Sequence, residues 1–141
     1  MAHQFCTFHV DDLFLGIEVE RVQEVIRHSE ITPVPTAPPS VRGLINLRGQ
    51  IVTAIDLGTK FGKADREGES STVLVLDAGS SLLSFVVDRA GDVVEVVEDS
   101  FEPPPQTLKG EARRLLRGTY KLHDKLLLVL DVENALELDV V

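Results

Sequence analysis

Hydrophobic positions alternate with polar ones along most of the chain, a pattern that predicts short, half-buried strands. Residues 4–10 alternate in this way, Asp11 and Asp12 give a turn signal, and residues 13–19 supply the hairpin partner. The run 18–27 also fits one face of a helix, but its apolar positions are β-branched, which favours a strand with a kink. The N-terminal part therefore predicts a β-hairpin followed by a kinked strand.

A second hairpin is predicted at residues 41–57, where two apolar runs flank the polar segment 46–50. Four prolines before it break regular structure, and we expect one helical turn at residues 40–42. Another short helical turn is predicted at residues 57–61. The charged stretch 62–71 that follows reads as a loop and as the boundary between two subdomains.

The second half of the chain repeats the pattern of the first. Residues 4–26 align without gaps with residues 72–94, and residues 42–57 align with residues 117–132. Alternation alone would make apolar residues coincide, but two long blocks in the same order indicate an internal duplication. The identities in the second block are Arg42, Gly43, Leu47 and Asp56, which recur as Arg117, Gly118, Leu122 and Asp131.

A duplicated, strand-rich unit predicts an all-β fold of two small barrels packed side by side, with about five strands each. Neither half is large enough to bury much apolar surface alone, so we expect a core shared between them. We place subdomain 1 at about residues 13–66 and subdomain 2 at about residues 67–131, with the terminal elements packing across. Residues 132–138 predict a short C-terminal closing helix.

Composition fits a single globular domain. The chain has 141 residues, of which 43% are hydrophobic and 26% charged, with a net charge of −9. A dispersed acidic balance argues against nucleic acid as a partner, because phosphate binding needs clustered Lys and Arg. The single Cys6 excludes an internal disulfide and fits a reducing compartment. No signal peptide or bilayer-spanning apolar run is seen, so we expect a cytoplasmic protein with no direct membrane insertion.

Chemistry-bearing motifs are missing from the sequence. The four histidines are scattered without a Cys or carboxylate cluster at metal-ligand spacing, which predicts no metal site. No Gly-x-Ser-x-Gly elbow or phosphate-binding glycine loop is present, and the acidic residues are dispersed. We therefore expect neither catalysis nor a cofactor, and the remaining class of function is recognition.

The polar segment of the second hairpin is the candidate recognition element. Asn46 and Gly49 suit a bend that requires positive φ, which would hold the Arg48 side chain at a fixed place on the surface. A guanidinium binds carboxylates through two parallel hydrogen bonds, and Glu24 is a candidate partner within the chain. A solvated hairpin tip is the alternative. For Asp56, capping of the following helical turn is the favoured role.

At these residues the sequence resembles the CheW family, the adaptor proteins of bacterial chemosensory arrays. The resemblance covers nearly the whole chain, and its most specific part is Val-Arg-Gly-Leu-Ile-Asn-Leu-Arg-Gly at residues 41–49. Thr53 departs from the family, whose members often carry Pro there. Further matching segments are Gln4-Phe5, Gly16-Ile17, Val-Gln-Glu-Val at residues 22–25, Ile55-Asp56-Leu57 and Val86-Val87-Asp88.

The resemblance implies two pseudo-symmetric, five-stranded SH3-like β-barrels and a non-catalytic adaptor. The implied partners are the cytoplasmic tip of a methyl-accepting chemoreceptor and the regulatory CheW-like domain of the histidine kinase CheA. The isolated protein would be a monomer that joins a lattice in the array. The implied receptor-binding groove consists of Val22, Glu24, Arg42, Gly43, Leu44, Asn46, Arg48 and Gly49.

Two other classes of function compete with the adaptor. A detached regulatory module of a kinase would share the fold, but 141 residues leave no room for a second domain. A small-molecule module could bind a purine-like ligand in the groove between the barrels. With no Trp, one Tyr and six Phe mostly at strand-core positions, stacking partners for such a ligand are scarce.

Overall fold

A computed structural model describes residues 2–27, 29–63, 72–77, 82–97, 100–108 and 110–137. The described residues form mainly short strands, with three short α-helices. The helices are α1 (Leu57–Lys60), α2 (Glu111–Arg114) and α3 (Val132–Leu136). The strands are β1 (Ala2–Val10), β2 (Leu13–Glu18), β3 (Val22–Ile26), β4 (Val41–Leu47), β5 (Gln50–Asp56), β6 (Thr72–Asp77), β7 (Leu82–Val87), β8 (Arg89–Val97), β9 (Phe101–Glu102), β10 (Leu116–Lys121) and β11 (Leu126–Leu130).

The strands form two sheets. One has six strands in the order β8-β1-β2-β11-β10-β9, and the other has five in the order β3-β6-β7-β5-β4. Neighbouring strands are antiparallel except for one parallel pair near the middle of each sheet, β2 with β11 and β5 with β7. The predicted all-β class with two related units is confirmed. The expectation of five strands each holds for one sheet, whereas the two-residue β9 adds a sixth strand to the other.

The internal duplication reappears in the strand order. By the repeat alignment, strands β1, β2, β3, β4 and β5 correspond to β6, β7, β8, β10 and β11. Exchanging each strand for its counterpart turns the order of one sheet, apart from β9, into the order of the other. The correspondence extends to an isolated bridge between Thr32 and Leu44, which takes the place that β9 has beside β10. Each sheet therefore draws strands from both repeats. The predicted boundary near residue 66 lies between the two sequence repeats. It does not divide the two sheets, because the five-stranded sheet contains β3 to β7 and so has strands from both sides of that residue.

Buried apolar residues form a central cluster that joins both sheets and one smaller cluster on each sheet. Phe8 and Leu15 from the six-stranded sheet meet Leu74 and Phe85 from the five-stranded sheet in the central cluster, all essentially without solvent exposure. The shared core expected from the duplication is present. The smaller cluster on the five-stranded sheet consists of Ile45, Leu47, Val52, Ala54, Val73, Val75 and Val86. The smaller cluster on the six-stranded sheet consists of Phe5, Val96, Tyr120, Leu127 and Val129.

Most predictions of local structure are confirmed. The kink is a 3₁₀ turn at Val19–Arg21 between β2 and β3. The expected helical turn after the second hairpin is α1, and the closing helix is α3, which ends at Leu136. Residues 64–71 of the expected boundary loop lie outside the described residues.

The helical turn predicted at residues 40–42 is wrong. Val41 pairs with Ile55 as the first residue of β4, and the amide of Asp56 donates to the carbonyl of Ser40 at 2.7 Å. Ladder bonds to β5 thus extend the hairpin into the segment that was expected to be helical. A local turn forms only in the proline-rich residues before β4, and the amide of Val41 closes it by donating to the carbonyl of Pro38 at 2.9 Å.

Candidate functional site

The tip of the β4–β5 hairpin is a two-residue turn. Arg48 and Gly49 both have positive φ, 50° and 89°, between the paired residues Leu47 and Gln50. A two-residue hairpin favours this geometry because it matches the twist of the flanking strands. The expected positive φ is confirmed at Gly49 but wrong at Asn46, which stays in β4. Asn46 instead fixes the turn through its side chain, whose Oδ1 accepts a hydrogen bond from the amide of Gly49 at 3.0 Å.

The Arg48 guanidinium is bound to the Glu24 carboxylate by two hydrogen bonds. Nη2 donates to Oε1 at 2.7 Å, and Nη1 donates to Oε2 at 3.3 Å. The predicted partnership is therefore confirmed. Glu24 lies on β3 and Arg48 follows β4, the two opposite edges of the five-stranded sheet. The sheet must be curled for these edges to come within reach of one ion pair.

This ion pair holds the pKa of Glu24 below its usual range, chiefly through the hydrogen bond from Arg48. Because the folded-state pKa is depressed, the pair stabilises the protein above the unfolded-state pKa of Glu24 and is lost as pH falls through the lower, folded-state value. We expect the Glu24 pKa to return to its ordinary value in Arg48→Ala, as measured by NMR titration of the side-chain carboxyl.

A matched carboxyl elsewhere serves as the control for that titration. Glu111 also has a lowered pKa, because Arg114 donates to it at 3.1 Å. The Glu111 titration should be the same in the wild type and in Arg48→Ala. An unchanged Glu24 titration in the variant would contradict the assigned cause.

The outward face of the hairpin carries an exposed isoleucine that the sequence analysis missed. Ile51 is 64% exposed and lies directly opposite Asn46 across the β4–β5 ladder. The alternation of the strand could have predicted this exposure, because Ile51 is next to the buried Val52 and neighbouring side chains on a strand point to opposite faces. Val25, next to Glu24 on β3, is 37% exposed. Both are exposed β-branched side chains close in sequence to the tip, since Val25 follows Glu24 and Ile51 is the second residue after the turn.

At the other end of the hairpin, Arg42 has a partner within the chain. Its Nη1 lies 2.8 Å from Oδ2 of Asp56, and both side chains are largely buried. The other oxygen, Oδ1 of Asp56, accepts from the amide of Thr59 at 3.3 Å and caps α1, as predicted. Asp131 caps α3 in the same way, accepting from the amide of Asn134 at 3.1 Å.

Gly43 contributes through its lack of a side chain. A Cβ atom there would lie 2.2 Å from the carbonyl oxygen of Thr32. Thr32 and Leu44 exchange two backbone hydrogen bonds, each 2.8 Å long, across this close approach. Gly43 therefore permits the preceding proline-rich segment to pair with β4.

The eight residues predicted for the groove separate into groups. Val22 packs against the central cluster, and Arg42 and Gly43 have the internal contacts described above. Leu44 is half-buried and lies on the outward face of the hairpin, the face that carries Ile51. The residues that meet at the tip are Glu24, Asn46, Arg48 and Gly49.

Neither a metal site nor a membrane span is found in the described ranges. No group of three His, Cys, Asp or Glu side chains there could hold a metal ion. Likewise, no helix among these residues has the length and apolar character needed to cross a bilayer. The tip offers charge and exposed apolar surface, which suit binding to another molecule.

Comparison with known proteins gives a consistent result. The profile of the CheW-like domain family matches residues 4–140. The chain is 30% identical over 137 residues to the chemotaxis protein CheW of Klebsiella aerogenes, a match that covers 96% of this chain and 82% of the relative. The chemotaxis protein CheW of Helicobacter pylori is 31% identical over 137 residues, with the same coverage. The crystal structure of the scaffolding protein TtCheW from Thermoanaerobacter tengcongensis superposes with a TM-score of 0.87 at 28% identity, covering 99% of this chain and 95% of that one.

Proposed function

The chain belongs to the CheW-like domain family of non-catalytic chemotaxis scaffold proteins, and we propose that it couples chemoreceptors to a histidine kinase. In this proposal it bridges the cytoplasmic tip of a methyl-accepting chemoreceptor and the regulatory CheW-like domain of CheA. It would do so in the cytoplasm, as a monomer when isolated and as part of a lattice in the array. The Arg48–Glu24 pair at the hairpin tip is the observation that carries the proposal.

The hairpin tip suits the recognition of an amphipathic helix. Exposed Ile51 and Val25 offer apolar contacts near the tip, and the Arg48–Glu24 pair can fix the register of a helix bound there. A guanidinium has five N–H donors, so Arg48 can keep Glu24 and still bind a carboxylate or carbonyl of the receptor. The side chain of Arg48 is 71% exposed, which leaves it accessible to a partner.

Contacts with the kinase domain would use the ends of the two barrels, away from the hairpin tip. One adaptor could then hold receptor and kinase at the same time. Individual contacts need not be strong, because repeated attachment within a lattice raises the effective concentration of each further contact.

Arg48→Ala is expected to lower receptor affinity about tenfold, which corresponds to the loss of one charge-assisted hydrogen bond. The fold should survive, because the lost ion pair is exposed and contributes little to stability. Co-sedimentation with a receptor fragment and CheA measures the effect, and CheA binding should be retained.

Arg114→Ala is the matched control. Arg114 is also an exposed arginine in ion pairs, with Glu111 and Glu137, but it lies far along the chain on α2. This variant should sediment with receptor as the wild type does. Undiminished receptor binding by Arg48→Ala would rule out the proposed role of the hairpin tip.

The alternative of a purine-like ligand between the barrels finds no support in the packing. The central cluster fills the contact between the sheets, and its largest side chains, including Phe8, Phe85 and Leu15, have no solvent exposure. A ligand there would have to displace well-packed core residues, which is unfavourable.

A further inference from the structure

A cavity of about 230 Å³ opens on the six-stranded sheet, away from the hairpin tip. Its wall is aromatic: the rings of Phe5 and Tyr120 have centroids 5.6 Å apart, and those of Phe101 and Tyr120 are 5.1 Å apart. Phe5 and Tyr120 are buried, whereas Phe101 is 44% exposed at the opening. Phe101 thus supplies most of the aromatic surface that a small ligand can reach, and the buried rings of Tyr120 and Phe5 pack behind it.

Two opposite charges lie side by side at the rim of this cavity. Nη1 of Arg117 donates to Oε1 of Glu18 at 3.1 Å, and both side chains are partly exposed. His3 also lines the cavity. An exposed ion pair of this kind contributes little to stability, so its two partners can exchange each other for the charges of a ligand at small cost.

The equivalent space on the five-stranded sheet is filled. The counterparts of Phe5, Glu18 and Tyr120 by repeat alignment are Val73, Val86 and Ile45. These three residues are at most 3% exposed and pack together in the cluster of the five-stranded sheet. The fold therefore does not require a cavity at this place.

The rim arginine has also changed its partner between the repeats. Its counterpart Arg42 is bound to Asp56 of its own hairpin, whereas Arg117 is bound to Glu18 of β2. Both Asp56 and its counterpart Asp131 cap a helix. The two copies therefore share the cap and differ in the partner of the arginine, which for Arg117 lies at the cavity. Among the described residues, cavity, aromatic wall and charged rim thus occur together on the six-stranded sheet, at a place where the five-stranded sheet is filled.

We propose that this cavity binds a free aromatic α-amino acid. The ring would lie against Phe5, Phe101 and Tyr120 in the offset or tilted contacts that aromatic groups prefer. Arg117 would bind the α-carboxylate and Glu18 the α-ammonium group. The volume lies below the roughly 300–1,000 Å³ of pockets for drug-sized ligands, so only a compact ligand with one ring system fits. This site goes beyond the proposed coupling function and would give the adaptor a small-molecule input of its own.

Intrinsic fluorescence offers a direct test with the full chain. The protein has no Trp, and Tyr120 is its only Tyr, so tyrosine emission arises from the cavity wall alone. We expect titration with L-phenylalanine to change this emission saturably, and L-tryptophan to quench it by energy transfer. L-Alanine, which lacks the ring, should leave it unchanged.

The two charges of the ligand can be removed without altering the protein. N-Acetyl-L-phenylalanine lacks the ammonium group, and L-phenylalaninamide lacks the carboxylate. Each should bind about tenfold more weakly than L-phenylalanine, because each loses one charge-assisted contact. Equal affinity for all three would overturn the proposal and indicate a pocket for an aromatic side chain of a protein partner.

Variants of the rim complete the test. Arg117→Gln and Glu18→Gln should each weaken L-phenylalanine binding about tenfold. The matched controls Arg114→Gln and Glu111→Gln alter an exposed ion pair elsewhere and should bind as the wild type does. The proposal is overturned if neither aromatic amino acid changes the emission saturably, or if the rim variants bind as tightly as their controls.

Discussion

Replacing Gly43 with alanine is expected to lower the free energy of unfolding by about 3 kcal/mol. The new Cβ would lie 2.2 Å from the backbone oxygen of Thr32, which cannot rotate away as a flexible side chain could. Relief requires β4 and the segment at Thr32 to separate, which breaks the two hydrogen bonds between Thr32 and Leu44. Urea denaturation followed by circular dichroism measures the change.

Two further glycines make this prediction specific. Gly62 has a φ of 72° with open space around it, so Gly62→Ala should lose only about 1 kcal/mol from backbone strain. Gly118 is the counterpart of Gly43, and a Cβ there would lie 2.3 Å from the ring of Phe101 and 2.6 Å from the carbonyl oxygen of Glu102. Gly118→Ala should therefore resemble Gly43→Ala. Similar stability of Gly43→Ala and Gly62→Ala would show that the approach of Thr32 is not rigid.

Phe85→Ala is expected to destabilise the protein by about 4 kcal/mol, within the range for truncating a buried aromatic residue. Phe85 has no solvent exposure and lies on β7, where it faces Leu74 on one neighbouring strand and Ile55 on the other. These residues belong to the central cluster that joins the two sheets. The cavity left by the ring would thus weaken both sheets.

A spectroscopic comparison tests that coupling. Tyr120 lies on the six-stranded sheet and Phe85 on the five-stranded one, so tyrosine emission reports unfolding of the sheet that is not mutated. We expect emission and circular dichroism to shift together in Phe85→Ala. Phe101→Ala, which removes a 44% exposed ring, should lose about 1 kcal/mol. A Phe85→Ala transition in which Tyr120 unfolds at the wild-type midpoint would contradict a shared core.

The sequence was sufficient for the strands and their faces but not for their neighbours. Alternation separates the buried Val52 from the exposed Ile51, because side chains on a strand point to opposite faces in turn. The same alternation is satisfied whichever strand lies alongside. The parallel contact of Leu15 with Leu128, which joins the two repeats in one sheet, therefore leaves no mark in the pattern.

The candidate site was predictable where the signal was local or electrostatic. Arg48 and Glu24 could be paired because an exposed guanidinium favours a nearby carboxylate. The positive φ predicted for Asn46 was wrong, because a short polar residue suits both a positive φ and a side-chain hydrogen bond to the turn, and the sequence does not distinguish them. The aromatic cavity was missed because Phe5, Phe101 and Tyr120 are distant in sequence, and no periodicity connects them.

The exchange of strands between the repeats has a consequence for how the chain folds as it is synthesised. The hairpin β1–β2 leaves the ribosome before the other described strands, but β11, the parallel neighbour of β2, follows more than a hundred residues later. The five-stranded sheet, in contrast, is contained between β3 and β7 and can form while the C-terminal part is still being made. The non-local pairing of β2 with β11 slows folding, because a long loop must close before that contact is gained. The β1–β2 hairpin, which precedes the other described strands in the chain, therefore completes its sheet last.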